Sequence, residues 1–166
     1  MGEYFKMSTR FNKQKASDFG LVELDNMAYA IDPVDNSIWI RCSLYDFGWG
    51  EENGYYRVPL PNYSELLQIV LHNEQEDDVY GAAATILKQY PDELLETCEQ
   101  MSVSPSASED FLKIASVFHL HLGINHSPVI GKAVAEIEKE AQRWKDISYL
   151  VKPKKKTRGI QKWFLK

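Results

Sequence analysis

Ile38-Trp39-Ile40-Arg41-Cys42-Ser43-Leu44-Tyr45 is the stretch that decides the fold. Ile38, Ile40, Cys42 and Leu44 alternate with Trp39, Arg41, Ser43 and Tyr45, the two-residue period of a half-buried strand. Just upstream, Asp32-Pro33-Val34-Asp35-Asn36 is turn chemistry, with Pro fixing φ and Asp or Asn bonding the local backbone. Before that turn Met27, Tyr29 and Ile31 alternate with Asn26, Ala28 and Ala30. Strand, turn and strand make an antiparallel hairpin. A loop over residues 46–54 (DFGWGEENG) leads to a third short strand at Tyr55–Val58, and Phe19–Leu24 can supply a fourth. Pro59 and Pro61 close the sheet region.

Beyond Pro61 every segment reads as helix. Asn62 or Ser64 can cap the first, which carries Leu66, Leu67, Ile69, Val70 and Leu71. Asp77 or Asp78 caps the second, with Val79, Ala82, Ala83, Ile86, Leu87 and Tyr90 on one face, and Asp92 caps a short third. Ser106 and Glu109 form a capping box for a fourth helix ending near Gly123, apolar nearly all round and so expected to be buried. Ser127 and Pro128 start the fifth as N-cap and first helical residue, and its apolar positions run to Val151. The expected fold is α+β. A meander of three to four strands over 19–58 precedes about five helices over 62–151, packed as a helical-hairpin stack. Residues 1–18 read as an N-terminal arm and 152–166 as a basic C-terminal tail.

The chain has 166 residues, 44% hydrophobic, which is enough for one domain with a sizeable core. Its net charge of -5 is unevenly spread. Residues 152–166 hold seven Lys/Arg and no acid, and residues 1–15 are +3. Between them eight basic and 23 acidic residues give -15. No signal peptide, membrane span or myristoylation pattern is legible, and Cys42 and Cys98 lack C-x-x-C spacing, so a cytoplasmic protein with reduced thiols is expected.

The segment Asp77-Asp78-Val79-Tyr80-Gly81-Ala82-Ala83-Ala84-Thr85-Ile86-Leu87 resembles the first helix of a HEAT-type helical hairpin. The likeness lies in the acidic cap and in the small residues before an aliphatic pair, and it extends over 77–122. Tyr80 stands where that family usually has Arg, and no second copy follows at a period near 40 residues. The resemblance implies close helix packing at the small residues and a protein that binds proteins.

No catalytic signature stands out. Asp46-Phe47-Gly48 has no companion kinase motifs, and Gly48-x-Gly50-x-x-x-Gly54 has one residue too many for a dinucleotide fingerprint. His119 and His121 stand about 200° apart around a helix, on opposite sides. The acidic run 74–78 lacks calcium-loop spacing and suits a helix start. No metal, cofactor or catalytic residue is therefore expected. What remains is binding. In the loop, Trp49 can anchor a partner while Glu51 and Glu52 meet its positive charge. In the tail, Lys154, Lys155, Lys156, Arg158 and Trp163 mix cations with an aromatic ring. The expected function is a non-enzymatic protein-binding role, as adaptor or immunity-like inhibitor, through an acidic surface toward a basic protein. The alternative is a nucleic-acid or anionic-membrane accessory working through the tail. The acidic body opposes a polyanion, so nucleic acid is the lesser expectation. The same charge permits the tail to lie on the body, anchored by Trp163 and Phe164.

Overall fold

The computed structural model describes residues 2–7, 15–24, 28–46, 51–103 and 109–152, with the side chains of 44–46 and 51–53 left out. Five strands form one antiparallel sheet: β1 (Phe5–Met7), β2 (Val22–Glu23), β3 (Tyr29–Ile31), β4 (Ile38–Asp46) and β5 (Glu51–Arg57). Their order across the sheet is β1-β5-β4-β3-β2. Five helices follow: α1 (Tyr63–His72), α2 (Glu76–Gln89), α3 (Pro91–Ser102), α4 (Glu109–Val117) and α5 (Val134–Val151). The α+β layout is that expected from the patterning.

The hairpin register pairs Tyr29 with Ile40 and Ile31 with Ile38. One correction concerns the sheet: Phe5–Met7, expected within an N-terminal arm over 1–18, pairs with Gly54–Tyr56 and is buried. In β4 Trp39 is 2% exposed while its neighbour Ile38 is 47% exposed. The reason is that both faces are covered, each over a different part. A 3-10 turn at Ala16–Phe19 folds under one face and builds a small core of Ala16, Phe19, Leu21, Ala30, Trp39 and Tyr55. Lys6 joins this face: its ammonium lies 2.8 Å from Asp32 and 4.6 Å from the centre of the Trp39 ring. That hydrogen bond holds the Asp32 carboxyl below its usual range. Phe19 accordingly ends a turn rather than opening a strand. Asp46 pairs with Glu51, so β4 and β5 extend into the stretch expected as a loop over 46–54, of which 47–50 lie outside the described residues.

The opposite face carries the helices. Phe5, Leu66, Val70, Ile86, Leu94, Phe111, Ile114 and Trp144 are among the buried side chains of one continuous core. Asn62 caps α1 as its sequence suggests. Its side chain accepts the Glu65 N–H at 3.1 Å, and the Glu65 carboxylate accepts the Asn62 N–H at 2.9 Å. The other starts differ. Pro91 itself opens α3, with Tyr90 before it. Ser106 lies outside the described residues. The fourth helix stops at Val117, because His119 (φ 51°) leaves the right-handed region, and Leu112 and Leu122 remain exposed. The fifth begins at Val134 rather than Pro128, since Gly131 sits at φ 82°, which no α-helix contains. Ser127 accepts the Trp144 indole N–H at 3.1 Å instead of capping.

Asp78 is the largest departure. Either Asp77 or Asp78 was expected to cap α2, but both stand inside that helix, and Asp78 is fully buried with its carboxylate turned to the N-terminal segment. Its Oδ1 accepts the Tyr4 and Phe5 N–H groups and its Oδ2 that of Glu3, all at 2.8 Å, while Asn73 donates to Oδ2 at 3.1 Å. Four donors replace the water lost on burial. Gly81, one turn on, lies against the Phe5 ring, where a Cβ would come within 2.2 Å. The small residues of α2 thus admit strand β1 as well as a neighbouring helix.

Candidate functional site

The N-terminal segment that Asp78 holds lines a recess together with the start of the helical region. Val58-Pro59-Leu60-Pro61, with a cis peptide at Val58–Pro59, also lines it. Helix α1 supplies the facing wall. Ser64, Gln68 and His72 recur every four residues, so they line one helix face, with Ile69 at the bottom. The recess holds about 870 Å³ and is open to solvent, a size in the range of small-ligand or peptide sites.

Its apolar lining includes Tyr4, Val58, Leu60 and Ile69, and its charged lining is Glu3, Glu65 and Glu74 against Arg57. Arg57 is already engaged, donating from Nη2 to the Asp35 carboxylate at 3.0 Å. Hydrogen bonds from Ser37, at 2.9 Å from its N–H, keep the Asp35 carboxyl below its usual range, so the guanidinium faces a full charge. Glu65 is half used by the Asn62 N–H, and Glu3 and Glu74 are exposed. The recess therefore presents carboxylates, backbone and apolar walls, an arrangement that suits an extended cationic segment.

The residues singled out in the sequence fall elsewhere. Trp49, Lys154, Lys155, Lys156, Arg158 and Trp163 lie outside the described residues, as does the rest of 153–166. Glu51 and Glu52 are in β5, their backbones opposite Asp46 and Tyr45, rather than in a loop. Reading the sequence missed Glu3 and Tyr4, because an arm has no assigned neighbour. It missed Arg57, Gln68 and His72, because VPLP marks only where the strand stops. The four-residue repeat of Ser64, Gln68 and His72 was the one available signal.

Other reactive groups do not converge here. Cys42 and Cys98 are free thiols that burial pushes up to about 12, the reverse of nucleophile activation. His126 packs edge-to-face on Trp144 at 5.1 Å, and burial lowers its pKa. Among the described residues no group of three or more His, Cys, Asp or Glu is placed to hold a metal ion, and no helix is long and apolar enough to cross a membrane. Comparison with protein-family models, with curated proteins and with solved structures finds no match to this chain.

Proposed function

We propose that this chain is a non-enzymatic cytoplasmic protein-binding module that takes a basic segment of a partner protein against its acidic surface. The observation that carries the reading is the recess between the N-terminal segment and α1. There Glu3, Glu65 and Glu74 stand on the walls while Arg57 is turned to Asp35. Such a site attracts lysine- and arginine-rich segments, and the charge of -15 between residues 16 and 151 steers them from a distance. In its sharpest form the partner is a basic toxin or nuclease and the chain its inhibitor.

The test is titration of the full chain with a fluorescent lysine- and arginine-rich peptide, followed by affinity capture of the native partner. Binding should weaken steeply with salt, and Glu3→Lys with Glu74→Lys should reduce it at least tenfold. Both residues are exposed, so the fold survives the change. Binding that ignores salt and the charge reversal would overturn the proposal.

A further inference from the structure

The acidic recess beside α1 has two ends of unequal charge. At one end stand Glu3 and Glu74. The Glu3 N–H and the Asn73 side chain donate to the same Asp78 oxygen, Oδ2, at 2.8 and 3.1 Å, which brings Glu3 and the residue after Asn73 to one end of the helix. Both glutamates are exposed and line the recess. At the other end Glu65 stands in the first turn of α1. Its Oε2 accepts the Asn62 N–H, and Oε1 is left for a second donor. Between the two ends the lining is apolar. Ile69 lies on α1 between Glu65 and Glu74, and Tyr4 and Leu60 join it.

From Glu65 to His72 the helix rises about 10 Å, and Glu74 lies two residues farther along the chain. An extended chain rises about 3.3 Å per residue and turns alternate side chains to one side. Its residues i, i+2 and i+4 therefore face one way and span about 13 Å. We propose that the recess selects an extended partner segment of the pattern basic-x-apolar-x-basic. One Lys or Arg sits at Glu3 and Glu74, an aliphatic side chain rests on Tyr4, Leu60 and Ile69, and the second cation meets Glu65. The inference rests on the recess being a site for basic segments and adds the order of residues that such a segment carries. A cation beside two carboxylates is held more strongly than one beside a single, half-used carboxylate, so the Glu3 and Glu74 end dominates. The aliphatic residue separates this site from an acidic surface at large, which attracts any polycation by charge alone. Arg57 does not compete for the carboxylates, because its guanidinium is held on Asp35 at 3.0 Å.

The experiment titrates the full chain with three fluorescent peptides of one composition, two Lys and one Leu among Gly and Ser. In the first, Leu stands two residues from each Lys. In the second, the two Lys are adjacent and Leu is remote, and in the third the three residues follow the i, i+4, i+7 spacing of a helix face. A lysine- and arginine-rich peptide serves as reference. The first peptide should bind at least tenfold tighter than the second or third, and exchanging its Leu for Gly should cost about tenfold. Glu74→Gln should weaken the first peptide severalfold and Glu65→Gln less, the amide of the latter keeping the capping bond to Asn62. Equal binding of the three peptides, binding of the reference alone, or tightest binding by the helical spacing would overturn the proposed order while leaving the acidic site standing. A greater loss in Glu65→Gln would overturn the assignment of the two ends. A reference peptide that fails to bind at low salt would remove the acidic site itself, and the order with it.

Discussion

The Phe5 N–H donates to the Asp78 Oδ1 at 2.8 Å, tying together residues 73 apart in sequence. Because Glu3 and Tyr4 donate to the same carboxylate, one side chain holds the segment that leads into β1. The start of this edge strand is thereby tied to α2.

Asp78→Ala strips three backbone donors of their acceptor, that of Phe5 in a buried site and those of Glu3 and Tyr4 in part-buried ones. An unsatisfied buried donor costs about 1–3 kcal/mol, so the variant should lose at least about 1 kcal/mol in urea unfolding. Asp78→Asn, which keeps acceptor capacity, should lose less. A loss below about 1 kcal/mol for the alanine variant would show that β1 is not held this way.

Gly81→Ala tests the same junction from the helix side. In an exposed helix interior the change gains about 1 kcal/mol. Here the new methyl meets the Phe5 ring at 2.2 Å, and overpacking costs roughly 1–3 kcal/mol. We expect a lowered Tm in thermal unfolding, and a raised Tm would refute the packing.

His126 gives stability a pH dependence of known sign. Its folded pKa is lowered by burial, so the unfolded chain binds the proton more readily. Stability should therefore fall as pH drops below the unfolded value near 6.5, and level off below the folded value. His126→Gln removes this titration. Urea midpoints from pH 7.5 downward should fall less for the variant than for the parent.

With both thiols pushed to about 12, on the order of one in 10⁴ is ionised at pH 8. Cys42 and Cys98 should react slowly with iodoacetamide in the folded chain and at the ordinary rate in denaturant. Mass spectrometry of quenched samples reads both. Rapid labelling of Cys98 without denaturant would contradict its burial.

Local signals were legible and long-range ones were not. The 29–31 and 38–40 hairpin, and the Asn62 cap with Glu65 three residues on, depend on neighbours in sequence. The burial of Trp39 was not legible because an alternating strand does not say which face the chain will cover, and here the 16–19 turn covers the face opposite the helices. The α1 recess was half visible. Its helical wall repeats every four residues, but its other wall reaches the site through Asp78 and the pairing of β1 with β5. Gly131 and His119, both at positive φ, ended or delayed helices whose apolar spacing ran on through them.

The placement of β1 also orders events during synthesis. Phe5–Met7 leaves the ribosome well before its partners Gly54–Tyr56 and its clamp Asp78. At about 5–20 residues per second, β1 waits several seconds for the residues that receive it. Until then β1 has no partner, and a neighbouring nascent chain can claim it. An unpaired Phe5–Met7 early in synthesis is the vulnerability that this topology carries.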